Sequence, residues 1–332
     1  VEFGITFKGD MDPRRMIALC RRAEDAGFDY AWFFDSHVIW HECYTTIAAC
    51  LRETTRMRFG PCVTNPGVRD WTLAASTVAN LVLLGGPRLD LGVGRGDSSV
   101  RVLGRRQFGL DTLARFIDSQ RALLRGDTIS YAGREVRITW SSYELPVWIA
   151  AYGPMALATA GRLGDGLIVQ LGDPQLCEWF AKQARSAGAA AGRDMAGYRV
   201  MAAAPAWVGD IETGRARTRW FPAMVGNHIA DLIGRGRSLE GFPSVLLKYV
   251  AARKGYDYLH HAEQNADHLA FVTDEITDRL SVLGPIGSHV AKLEELAAGG
   301  VTQFNMYLMN GEEERHLDDY GKHIIPRFKR PG

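Results

Sequence analysis

Four stretches of this sequence combine chemically active residue types with the small or rigid residues that hold a ligand close. Asp35-Ser36-His37 closes the apolar run Tyr30-Ala31-Trp32-Phe33-Phe34. An acid and an imidazole at the end of a buried strand are candidates for contact with a cofactor ring, and a histidine passes protons near neutral pH. Gly92-Val93-Gly94-Arg95-Gly96-Asp97 has Gly-x-Gly-x-Gly spacing, follows the fourth apolar run, and lacks the Gly-Lys-Ser/Thr of a triphosphate loop. Its small residues let the backbone lie against a planar ring or the chain attached to it. Ala150-Ala151-Tyr152-Gly153-Pro154-Met155 puts a proline where a helix begins and leaves the amides near Gly153 uncovered. That is an anion site at a helix N-terminus, suited to a phosphate, with Gln170-Leu171 as its other wall.

The fourth stretch, from Gly60 to Asp70, is the one the others serve. Gly60-Pro61 bends the chain, Pro66 holds Asn65 extended, and Asp70 is placed to cap the helix that follows. Cys62, Val63, Thr64 and Asn65 are therefore presented between fixed points at a strand's carboxyl end. Each stretch also has a plainer reading. Asp35 and Asp97 are equally caps of helices, His37 a satisfied loop residue, and the two proline corners ordinary tight connections.

Other chemistries find little support. No Gly-x-Ser-x-Gly elbow occurs, and Cys62 follows a proline rather than opening a helix beside a base. His228, His260, His261 and His268 fit neither His-Glu-x-x-His nor a zinc-finger spacing, so no metal is expected.

The elements that position these stretches alternate. Periodicity predicts strands over 3–7, 30–34, 57–59, 89–93, 147–150, 167–170, 198–208 and 303–308. Helices are predicted over 11–26, 44–51, 71–81, 111–124, 155–163, 175–191, 287–298 and 312–325, with a surface hairpin within 127–137. Alternation lapses over about 220–282, which reads as mostly helical. Eight strands each followed by a helix is the pattern of a (β/α)8 TIM barrel, here with an insertion after the seventh strand. Long excursions beside a barrel mouth tend to be functional, so His228 and Tyr256 are candidate substrate contacts.

Composition narrows the class. Across 332 residues, 39 Lys and Arg balance 38 Asp and Glu, so no strong field recruits nucleic acid or acidic membrane. No apolar run approaches the ~20 residues of a membrane span, and the first residues are not a signal peptide. Five cysteines without a Cys-x-x-Cys pair suit free thiols in a reducing cytoplasm.

The corner at Gly60–Pro66, taken with Glu2-Phe3-Gly4-Ile5, the turn at Gly92–Asp97 and Gly153-Pro154-Met155, resembles the bacterial-luciferase-like oxidoreductases. Within them it is similar to the branch that uses the deazaflavin coenzyme F420 and includes methylene-tetrahydromethanopterin reductase. The resemblance covers nearly the whole chain and implies a single luciferase-like barrel over 1–332. It implies a non-prolyl cis peptide at Cys62–Val63, bulging against one face of the ring. It implies that an acid–His pair meets the ring's pyrimidine side, although Ser36 here separates Asp35 from His37. Relatives place a catalytic Glu near the glycine turn. This chain offers Arg95 and Asp97 instead, so His37 and Asp97 are the candidate proton donors. Trp40 corresponds to an aromatic beside the substrate. The implied function is hydride transfer between F420 and a small organic molecule, in a homodimer or homotetramer. A reduced-FMN monooxygenase, with FMN at the same face, and a non-catalytic flavin-binding barrel are the alternatives.

Overall fold

The computed structural model describes residues 1–233 and 272–329. The chain runs through β1 (Glu2–Phe7), α1 (Pro13–Asp25), β2 (Tyr30–Phe33), α2 (Cys43–Glu53), β3 (Arg58–Pro61), α3 (Trp71–Gly85) and β4 (Leu91–Val93). A short helix α4 (Ser98–Arg101), α5 (Leu110–Arg125) and a hairpin of β5 (Ile129–Tyr131) and β6 (Arg134–Val136) follow. Then come β7 (Val147–Ala150), α6 (Pro154–Leu163), β8 (Gly166–Val169), α7 (Pro174–Ala190) and β9 (Arg199–Val208). After helices at Ile211–Thr218 and Trp220–Ile233, the description resumes with helix Asp274–Leu280, β10 (Val282–Gly284), helix Ile286–Ala298 and β11 (Gln303–Tyr307).

Eight parallel strands pair in the order β3-β2-β1-β11-β9-β8-β7-β4. Parallel bridges from Phe59 to Leu89 and from Thr64 to Val93 join the two ends, giving a (β/α)8 TIM barrel. Strands buried on both faces read as unbroken apolar runs, as at Tyr30-Ala31-Trp32-Phe33, where every residue is buried. Helix starts are set locally. Asp12 accepts from the Arg14 N–H at 2.8 Å, Asp70 Oδ1 from the Thr72 N–H at 2.9 Å, and Asp173 from the Leu176 N–H at 2.8 Å.

Two elements differ from expectation. β10 is an extra short strand beside the outer end of β9, pairing Val282 with Ala206 and Gly284 with Val208. Three residues are too few for a periodic signal. The final helix is not continuous. Glu313–Asp319 leads into a π-turn at Tyr320–Ile324 before helix Ile325–Phe328. Pro326 has no N–H to offer the carbonyl of Lys322, and the ladder widens just before it, with Ile325 N–H reaching Tyr320 O.

The amino-terminal end of the barrel is plugged. Tyr30 stacks on Trp32 at 5.6 Å, and Trp148 meets Trp32 edge-on at 5.9 Å. Asp90, fully buried, accepts from Trp148 Nε1 at 2.7 Å and pairs with Arg58 and, at 3.4 Å, with Arg199. A polar, filled floor leaves the carboxyl ends of the strands as the open face.

Candidate active site at the barrel mouth

A cavity of about 550 Å³ opens at that face. Its walls come from the segments after β2 (Phe34, Asp35, Ser36, Trp40), β3 (Cys62, Val63), β4 (Gly94 to Ser99), β7 (Ala150 to Gly153) and β8 (Gln170). The segment leading into α5 adds Gln107 and Gly109, and the first turn of that helix adds Leu110 and Asp111. This size and this mix of apolar wall with few polar groups suit a cofactor-sized ligand.

The corner after β3 is pinned from behind. Cys62 N–H donates to Phe33 O at 2.7 Å, Thr64 N–H to Gly92 O at 2.9 Å, and Gly94 N–H to Thr64 O at 2.9 Å. Asn65 Nδ2 donates to Ser99 Oγ at 2.8 Å, and its Oδ1 accepts from Gly67 N–H at 3.0 Å. The Cys62–Val63 peptide is cis. A Cβ on Gly94 would lie 3.1 Å from Val63 Cγ2, so the glycine keeps this wall flat. Gly96, at φ +83, carries the chain through a conformation other residues avoid. Burial pushes the Cys62 thiol up to about 12, so it stands here as a neutral thiol, not a nucleophile.

Two acids on the wall each keep an unpartnered oxygen. Asp35 Oδ2 accepts from Arg69 Nη1 at 2.5 Å, while its buried Oδ1 has no hydrogen-bond partner. Asp97 Oδ1 accepts from Arg101 Nε at 2.7 Å and Gln107 Nε2 at 3.3 Å, and its Oδ2 is likewise buried and unpartnered. Asp97 occupies the N-cap position of α4 but makes no cap bond, and Asp35 caps no helix. Orphaned acceptors on a cavity wall call for donors from an occupant.

Across the cavity, α6 begins at Pro154 with Gly153 as its N-cap and no side chain covering the first amides. An anion is favoured there by the free N–H groups and the helix dipole. Beside it, Tyr152 Oη donates to Gln170 Oε1 at 3.3 Å and accepts from the Gln170 N–H at 3.0 Å. Gln170 Nε2 in turn donates to Tyr307 Oη at 2.8 Å. Burial raises the Tyr152 hydroxyl pKa, keeping it a donor.

Asp35, Ser36, Trp40, Cys62, Val63, Gly94, Arg95, Gly96, Asp97, Ala151, Tyr152, Gly153, Met155 and Gln170 share this one cavity. Thr64, Asn65 and Leu171 are buried behind its lining, and Pro154 is the exposed first residue of α6. His37 is not among the residues lining this cavity. Ile39 and Trp40 both donate to Ser36 O at 2.9 Å, and the resulting turn leaves His37 exposed and off the cavity wall. His228 lies in helix Trp220–Ile233 with its side chain outside the described residues, and Tyr256 is outside them altogether. The sequence reading missed Arg69 and the Gln107–Asp111 segment. The lone cationic side chain of the Gly60–Asp70 corner marks the first. The second leads into a helix following strand four, which the barrel topology puts at the same face.

The closed parallel barrel, with a polar-studded cavity at its carboxyl mouth, is a TIM barrel with a ligand-sized site where such barrels carry their chemistry. A sequence profile described as luciferase-like monooxygenase matches residues 3–303, and the chain belongs to that family. It is 28% identical over 345 aligned residues to the 5,10-methylenetetrahydromethanopterin reductase of Archaeoglobus fulgidus, covering 99% of this chain and 100% of the relative. It is 31% identical over 196 residues to the F420-dependent hydroxymycolic acid dehydrogenase of Mycobacterium tuberculosis, covering 52% of this chain and 54% of that one. Among solved structures, the coenzyme F420 dependent tetrahydromethanopterin reductase of Methanopyrus kandleri superposes with a TM-score of 0.81 at 23% identity, over 99% of both chains.

Proposed function

We propose that this protein passes a hydride between coenzyme F420 and a small organic substrate. The full-length likeness to a methanopterin-type reductase and the match to an F420-dependent dehydrogenase support the cofactor. The single observation that carries the reading is the pair of buried, unpartnered carboxylate oxygens, on Asp35 and Asp97, in one cavity with an uncapped helix start at Gly153. That donor and acceptor set fits a planar ring bearing N–H groups with a phosphate on its side chain. Bound there, the deazaflavin supplies the hydride chemistry.

Val63 and Gly94 support the ring face, and the amides of Met155 and Ala156 hold the phosphate. Asp97 Oδ2, rather than His37, holds the proton exchanged with substrate, because it is a buried carboxylate oxygen that no side chain satisfies, and the other such oxygen, on Asp35, belongs to a carboxylate paired with Arg69. Phe34 and Trp40, packed at 5.1 Å, form the apolar side of the substrate's space. His228 and Tyr256 are kept as candidate substrate contacts. The five free thiols suit a reducing cytoplasm, with Cys50 Sγ donating to Cys20 Sγ at 3.6 Å. No helix among the described residues is long and apolar enough to cross a membrane.

A second copy of the chain is the proposed partner. α3 carries no charged residue, yet Leu73, Leu83 and Leu84 on it are 57%, 68% and 41% exposed. Light scattering tests for a dimer or tetramer, with a monomer as the contrary result.

The test of function is turnover under argon with reduced F420 and a panel of reducible carbonyl and imine compounds. Substrate-dependent oxidation of the cofactor without oxygen supports the reading. The family profile favours one rival, a reduced-FMN monooxygenase, and oxygen-dependent turnover with FMN alone selects it.

A further inference from the structure

Arg69 belongs to the corner after β3, Asp35 to the loop after β2, and Glu42 is the N-cap of α2. One guanidinium joins all three. Arg69 Nη1 donates to Asp35 Oδ2 at 2.5 Å, Nη2 donates to Glu42 Oε1 at 2.6 Å, and the group lies 4.5 Å above the ring of Tyr44. Glu42 is itself fixed, since its other oxygen accepts from the Thr45 N–H at 2.8 Å. A planar fork held at both prongs and stacked on an aromatic has almost no freedom to turn.

We propose that Arg69 is a positioning residue that sets the Asp35 carboxylate so that its second oxygen faces the cavity and accepts a hydrogen bond from an N–H of the bound ring. The inference rests on the cofactor reading above. Asp35 lines the cavity with a side chain only 1% exposed, and Arg69 binds one of its two oxygens while the other is buried without a hydrogen-bond partner. An ionised carboxylate accepts and never donates, so the occupant must bring the hydrogen. An imide N–H at the edge of a deazaflavin or flavin ring is the chemistry that fits. Without Arg69, Asp35 and Glu42 would be two neighbouring carboxylates with no counter-ion, and the Asp35 oxygen would lose its direction.

The test is a double-mutant cycle read by cofactor fluorescence. Dissociation constants for F420 are measured for the wild type, Arg69→Met, Arg69→Lys, Asp35→Asn and Asp35→Asn/Arg69→Met, with thermal melting as the folding control. Arg69→Met is expected to weaken binding about 10-fold or more in the wild-type background. In the Asp35→Asn background the same change is expected to matter less than about twofold, because Arg69 acts through Asp35. Arg69→Lys falls between, since one ammonium reaches Asp35 or Glu42 but not both. Equal losses in both backgrounds overturn the proposal and leave Arg69 a general structural residue. If Arg69→Met does not fold, Arg69→Lys is read in both backgrounds by the same criterion. A wild type that binds no F420 overturns the cofactor reading and this inference with it, whereas tight wild-type binding with additive losses overturns the inference alone.

Discussion

Asp97 and Arg101, four residues apart across one turn, form a 2.7 Å ion pair that leaves Asp97 Oδ2 alone on the cavity wall. The arginine fixes the carboxylate through one oxygen and leaves the other, buried, without a partner. Asp97→Asn keeps the shape and removes the proton acceptor. Turnover is expected to fall roughly 100- to 10,000-fold, the usual span for loss of a general acid or base, well beyond any accompanying loss of F420 affinity. Steady-state kinetics beside a binding titration check it.

His37 is exposed, on the turn that Ser36 O closes, and does not line the cavity. His37→Asn is therefore expected to change kcat/KM less than about twofold, as for an exposed substitution away from the chemistry. A loss comparable to that of Asp97→Asn would return the proton-handling role to the histidine.

Stability should fall on the acid side as two buried histidines are forced to take up protons. Burial lowers His289 and His316 from 6.5 to about 4. His289 lies between Tyr320 Oη at 2.9 Å and Trp207 O at 3.0 Å, and both ring nitrogens of His316 are buried without partners. Between about 6.5 and about 4 the unfolded chain binds more protons than the folded one. Their contribution is thus complete above about 6.5 and is lost as pH falls toward about 4. Chemical denaturation across that range should show the slope, and His316→Leu should flatten part of it.

The contact between β3 and β4 tolerates no side chain at Gly60. A Cβ there would meet Asp90 O at 2.2 Å and the Trp32 ring at 2.8 Å, whereas one on Gly197 would meet nothing within 4 Å. Gly60→Ala is expected to cost about 1–3 kcal/mol or more, and Gly197→Ala to stay within about 0.5 kcal/mol. Paired urea melts separate the two.

Much of this was legible before any coordinate. Buried parallel strands write continuous apolar runs, and Asp70 and Pro154 mark helix starts in the sequence itself. Once the strand order is that of a barrel, every polar residue just past a strand is brought to one mouth, which is how Asp35, Cys62, Asp97 and Gly153 came together. What stayed hidden depends on partners distant in sequence. The Asp90 floor needs Arg58, Trp148 and Arg199 from three other strands. The exposed position of His37 depends on a carbonyl accepting twice. Arg69 gains its role only when Asp35 and Glu42 are seen on either side of it.

The most direct measurement is a fluorescence titration of the purified protein with oxidised F420 and, separately, with FMN in both redox states. The account predicts saturable F420 binding that Asp35→Asn weakens, with FMN binding far weaker in either state. Preferential binding of FMN, above all reduced FMN with peroxide released in air, would contradict it and make this barrel a monooxygenase.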